Sequence, residues 1–127
     1  MSKKYRIFIS FAVPEDTYAR DFLVGQARNA KTPFEFVDMS VKEPWSEEWK
    51  DRCRTKIKGC SGFIGLLSKN TLTASGARWE INCAKEEGIP ILGVHIQKDD
   101  KSIPPEMIGQ KVIEWSWAGI SGFINSL

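Results

Sequence analysis

Gly62-Phe63-Ile64-Gly65-Leu66-Leu67 and Ile91-Leu92-Gly93-Val94-His95-Ile96 are two nearly continuous apolar runs. A strand with one wet face alternates apolar and polar residues, whereas a strand covered on both faces reads as an unbroken apolar segment. These two runs therefore predict the centre of a parallel sheet. Working outward, Tyr5-Arg6-Ile7-Phe8-Ile9-Ser10 is a β-rich run, Phe34-Glu35-Phe36-Val37-Asp38 alternates, and 111–115 reads as an edge strand. Helical patterns fall between them. One spans 14–28 with Pro14 in its first turn, and one spans 46–58 with Ser46 as N-cap and Glu47 and Glu48 facing the dipole. A third spans 75–87, closed by Gly88 and Pro90, and a short last helix spans 118–127. The stretch 99–109, with Pro104-Pro105, predicts a loop holding at most one helical turn. Five βα units in this length predict a flavodoxin-like, doubly wound parallel sheet of order 2-1-3-4-5.

The 127 residues read as one domain, 1–127, long enough to bury a substantial core. Eighteen Lys and Arg against 16 Asp and Glu give a net charge of +2, and the signs are interleaved. Such a balance lacks the concentrated basic face that nucleic-acid binding requires. Cys53, Cys60 and Cys83 are odd in number and form no CxxC pair, which argues for free thiols in a reducing compartment and against a zinc site. No apolar run approaches the roughly 20 residues needed to span a bilayer. The expectation is a cytoplasmic protein without membrane or nucleic-acid partners.

Ligands in doubly wound folds sit at the carboxyl ends of the strands, beside the switch point. Those ends carry Ser10 and Phe11, Asp38 to Ser40, Ser68 to Asn70, and His95 to Gln97. Glu80 points toward the same rim. Winding 77–87 at about 100° per residue places Trp79, Cys83, Ala84, Ala77 and Ile81 on one arc and Arg78, Asn82, Lys85 and Glu86 opposite, with Glu80 inside the apolar arc. A buried carboxylate is costly unless it is paired, and its raised pKa suits acid, base or nucleophile chemistry. Two roles fit this position: a structural Glu held by a buried cation or a backbone group, and a reactive one.

Several chemistries of this topology are excluded by what the rim lacks. A phosphorylation receiver needs acids after the first strand and an Asp at the end of the third, where Ser10-Phe11 and Ser68 stand. Phe11-Ala12-Val13-Pro14 makes no phosphate nest, and neither GxGxxG nor GxxxxGK[ST] occurs. His95, the single histidine, has no evident Ser or Cys partner for a hydrolytic triad. What remains is one carboxylate with hydroxyl and aromatic neighbours, Phe11, Trp45 and Trp79. Aromatic faces stack on a base or nicotinamide ring, and a carboxylate stabilises an oxocarbenium ion or takes a ribose hydroxyl proton. The same aromatics also suit a core. Trp45, in a loop between Pro44 and Ser46, is the least easily explained by packing.

Arg6-Ile7-Phe8-Ile9-Ser10-Phe11 followed by Glu15-Asp16, Phe36-Val37-Asp38 leading into 39–45, and Ser75-Gly76-Ala77-Arg78-Trp79-Glu80-Ile81-Asn82-Cys83-Ala84 after Gly62 to Ser68 form an ordered set of motifs. Gly88-Ile89-Pro90-Ile91 and Val112-Ile113-Glu114-Trp115-Ser116 complete it. The set resembles the Toll/interleukin-1 receptor (TIR) domains, most closely the bacterial ThsB-type TIR-like proteins of Thoeris antiphage systems. It covers the chain from Lys4 to about Trp115.

The resemblance implies that Glu80 is the catalytic group for cleaving the nicotinamide–ribose bond of NAD. It further implies that Ser10, Phe11 and the loop near Trp45 shape the nicotinamide and ribose site, to which Asp38, Ser40 and Ser68 at the strand ends and Trp79 beside Glu80 are added as candidates. NAD is then a substrate, with no permanently bound cofactor and no metal. The product would be an ADP-ribose-derived, cyclic or conjugated nucleotide sensed by a separate effector, and activation would involve TIR–TIR self-association. The match departs at one place. Many TIR enzymes carry Trp four residues before the Glu, and here that position is Gly76. Two other readings stay open at this point: a non-enzymatic TIR-like interaction module, and a nucleoside deoxyribosyltransferase-like enzyme using Glu80 on an N-glycosidic carbon.

Overall fold

In the computed structural model, which describes residues 5–30, 34–39 and 42–127, five parallel strands form one sheet in the order β2-β1-β3-β4-β5. They are β1 (Tyr5–Ser10), β2 (Phe34–Val37), β3 (Gly62–Leu67), β4 (Ile91–His95) and β5 (Lys111–Glu114). The helices are α1 (Thr17–Asn29), α2 (Glu47–Lys58), α3 (Ser75–Glu86) and α4 (Trp117–Asn125), with short 3-10 helices at Lys69–Thr73 and Pro105–Met107. The flavodoxin-like order read from the sequence is thus the observed one.

Each strand divides its side chains between two cores. Phe8, Phe63 and Leu67 pack under α2 and α3 with Trp49, Cys53, Ile57, Ile81 and Ala84. Ile7, Ile9, Ile64, Leu66, Leu92 and Val94 face the other side, with Leu23 of α1 and Ile120 and Ile124 of α4. Burying each such side chain contributes about 1.5–3 kcal/mol, which explains why β3 is apolar throughout and β4 as far as Val94. Phe8 and Phe63, paired in register, stack with centroids 5.4 Å apart.

Local chemistry sets most element boundaries. Ser46 caps α2 by accepting from the Trp49 N–H at 3.2 Å, with Glu47 and Glu48 in the first turn. Past the end of α3, Gly88 adopts φ 69°, a conformation that costs glycine little. One expectation is corrected. Pro14 lies in a turn closed by Asp16 N–H to Ala12 O and Thr17 N–H to Pro14 O, and α1 begins only at Thr17. These two bonds complete a separate turn over 12–17 before the chain enters the helix.

Candidate active site

Period-two alternation puts Ser10 on the same face of β1 as Phe8, at the carboxyl end of the strand and beneath the first turns of α3. There its hydroxyl donates to Glu80 Oε1 at 2.8 Å, with Ala77 O at 3.3 Å as a second acceptor. Glu80 is fully buried and Ser10 is 1% exposed. Winding α3 at 3.6 residues per turn aims Glu80 inward together with Gly76, Ala77, Ile81, Cys83 and Ala84.

Three further groups converge on this carboxylate. Lys42 Nζ lies 2.6 Å from Oε1 and 2.7 Å from Oε2. Cys53, on α2, directs its thiol at Oε2 from 3.8 Å. Phe11, 1% exposed, presents its ring to Lys42 Nζ at 5.0 Å and to the Arg20 guanidinium at 5.5 Å. Burial pushes the Glu80 carboxyl above its usual range, while Lys42, Ser10 and Cys53 oppose that shift without cancelling it. The Cys53 thiol, desolvated and beside a carboxylate, is pushed upward as well and stays protonated. The cluster is therefore a buried carboxylate matched to one cation, with a hydroxyl, a thiol and an aromatic face around it.

The other site candidates separate. Asp38 pairs with Arg20 at 2.5 Å and reaches the cluster only through Arg20 and Phe11. Both residues also line a cleft of about 600 Å³ between α1 and β2, with Phe34 and Phe36. Ser68 is 2% exposed and already committed: its hydroxyl donates to Asp16 Oδ2 at 2.5 Å and accepts from the Asn70 N–H at 3.0 Å. Trp79 packs edge-on against Trp49 at 5.3 Å and beneath Arg54 at 5.6 Å, so its ring belongs to the α2–α3 contact. Trp45 is 77% exposed. Ser40 lies outside the described residues. His95 is buried at the end of β4 with Nδ1 unpartnered, and desolvation lowers its pKa.

Sequence reasoning missed Lys42, Cys53 and Asp16 as members of these networks. The signal for Lys42 was Gly76, the place where the family pattern carries an aromatic. A Cβ at Gly76 would stand 2.6 Å from Lys42 Cβ, so the lysine stem fills that space. Among the described residues no cluster of three or more His, Cys, Asp or Glu is arranged to hold a metal ion, and no helix is long and apolar enough to cross a membrane.

Comparison with known proteins agrees with this architecture. Residues 8–101 match the family model described as the TIR-like domain of Thoeris protein ThsB. Among solved structures, a prokaryotic SEFIR domain aligns at 11% identity and TM-score 0.55, covering 96% of this chain and 88% of that one. A 3-dehydroquinate dehydratase-like protein from Bifidobacterium longum aligns at 11% identity and TM-score 0.53, covering 98% and 94%. At such identity these two likenesses speak for the fold alone. No curated protein matches the chain.

Proposed function

This chain belongs to the TIR-like domain family of the Thoeris protein ThsB, and on that premise we propose that it cleaves the nicotinamide–ribose bond of NAD and releases an ADP-ribose-derived, cyclic nucleotide signal. The observation that carries the reading is Glu80: a fully buried carboxylate at the carboxyl end of β1, next to an aromatic face and held by the Lys42 ammonium. A buried cation also fits a structural glutamate; the family match and the neighbouring Phe11 ring favour the reactive role.

The chemistry follows from charge. As the C–N bond breaks, its electron pair leaves with the nicotinamide nitrogen and positive charge develops on the ribose. A carboxylate beside that carbon in a water-poor site stabilises the cation strongly. Ser10 keeps Oε1 oriented, and Phe11 offers its ring to the departing base. An internal oxygen or nitrogen nucleophile then bonds to the ribose carbon and releases a proton, giving a cyclic product; water in that place gives ADP-ribose. The product acts on a separate effector in the cytoplasm, and the domain self-associates through TIR–TIR contacts when triggered, a role suited to the exposed Trp45.

Nicotinamide release from NAD, measured by liquid chromatography on the purified protein under activating conditions, tests this reading. Glu80→Gln is expected to reduce the rate by about 10²- to 10⁴-fold, the range for losing a positioned acid or base. Equal rates for the two proteins would sink it.

A further inference from the structure

The stem of Lys42 lies across the first turn of α3. A Cβ built on Gly76 would come within 2.6 Å of Lys42 Cβ, 3.1 Å of Cγ and 3.2 Å of Cδ, where apolar carbons normally stand about 3.5–4.0 Å apart. Cβ is the root of the lysine side chain. No rotamer change can relieve that contact; residue 42 must move as a whole. Beyond Gly76 the ammonium bonds both oxygens of Glu80 and lies over the Phe11 ring. The Lys42 side chain is 10% exposed and that of Glu80 is 0% exposed.

The geometry points to Lys42 as a tethered cation that occupies the Glu80 site and holds it shut, with Gly76 as the gap that seats its stem. This inference rests on the reading of Glu80 as the reactive group and adds how that group is kept silent. A carboxylate facing an aromatic ring is a receptor for positive charge, and the positively charged ribosyl-pyridinium end of the substrate is suited to the same place. Two cations cannot share it. Both Glu80 oxygens already have an ammonium donor within 2.7 Å, so a ribose gains access only after Lys42 departs. The apparent affinity for substrate is then reduced by the fraction of molecules in which Lys42 is out. Whatever activates the domain acts by raising that fraction.

Brief acetylation with an amine-reactive ester, read at each lysine by peptide mass spectrometry, tests the latch without reference to catalysis. In the unaltered protein Lys42 should label about tenfold more slowly than Lys101, whose side chain is 53% exposed, corresponding to a mostly closed equilibrium. Gly76→Ala should abolish most of that protection by expelling the stem, and Glu80→Gln should do so by removing the counter-charge. Should Gly76→Ala fail to fold, Glu80→Gln carries the test. Protection of Lys42 that persists in a folded Gly76→Ala protein, or in Glu80→Gln, overturns the latch.

Nicotinamide release separates the two proposals. Gly76→Ala and Lys42→Ala should release it about tenfold faster than the unaltered protein at low NAD. Labelling that rises with no release from any variant supports the latch and overturns the NAD reading. Release that depends on Glu80 but is no faster in Lys42→Ala overturns the latch and leaves the NAD reading standing.

Discussion

Two buried carboxylates stand at the same rim of the sheet and are satisfied in opposite ways. Asp16, 1% exposed, accepts from the Ser68 hydroxyl at 2.5 Å and from the Asn70 side chain at 3.0 Å. Its donors are neutral and belong to one capped turn, in which Thr71 Oγ1 also accepts from the Ser68 N–H. Glu80 is matched instead by an ammonium on a long stem, from a residue 38 positions away. Fixed neutral donors stabilise a structure and have no second state. A flexible cation can leave, and when it leaves the carboxylate becomes a strong electrostatic group in a dry place. The difference separates an acid built into the scaffold from the one that the proposed reaction would use.

The sharpest way to break the contrast is Lys42→Met, which keeps most of the stem and removes the charge. Leaving one member of a buried ion pair alone costs about 3–5 kcal/mol, so urea denaturation at pH 7 should show a loss of that size. The sign of its pH dependence follows from Glu80. In the variant the folded-state pKa is raised further, because Lys42, which held it down, is gone. A raised carboxyl pKa means that the folded state binds the proton first. The penalty is therefore complete above the folded pKa and shrinks as the pH falls toward the unfolded value of about 4.3. A deficit that stays constant from pH 8 to pH 4.5 would mean that the Glu80 charge is not its source.

Ser68→Ala disturbs the other carboxylate, and its expected effect is smaller. The change removes a donor from Asp16 Oδ2 and the acceptor for the Asn70 N–H. An unsatisfied buried group costs about 1–3 kcal/mol, measured again by urea denaturation, and nicotinamide release should stay within about twofold of the unaltered rate. A large loss of release in a protein that is still folded would tie the Asp16 turn to the reaction after all.

The strands were legible because their signal is local. β3 and β4 are buried on both faces, and every residue of Gly62–Leu67 reports that burial. The start of α2 was equally plain, since Ser46 caps a helix by contacts within three residues. Glu80 was visible as a charge on an apolar arc. Its partner was not, because a contact between residues 42 and 80 depends on the path of a loop that no periodicity encodes. Gly76 was the trace left in the sequence: a small residue where the family pattern carries a ring marks space that another side chain fills. The direction of Trp45 was illegible for a related reason. An aromatic in a loop has no period to give its direction, and it faces solvent.

The smallest effect compares the hydroxyls that the two carboxylates share as a motif. Ser10 and Ser68 each donate to a buried acid, at 2.8 Å and 2.5 Å. Glu80 Oε1 retains Lys42 Nζ at 2.6 Å after Ser10→Ala, whereas Ser68→Ala takes the close donor of Asp16 Oδ2. Ser10→Ala should therefore cost about 0.5–1.5 kcal/mol, the net worth of a single hydrogen bond, and less than Ser68→Ala. Its effect on chemistry should run the other way. On the proposed reaction Ser10 orients the oxygen that faces the developing ribose charge, so kcat for nicotinamide release should fall with KM little changed, while Ser68→Ala leaves both near their original values. If Ser10→Ala costs the greater stability and spares kcat, the hydroxyl is part of the scaffold, and Glu80 is positioned by Lys42 and Cys53 without it.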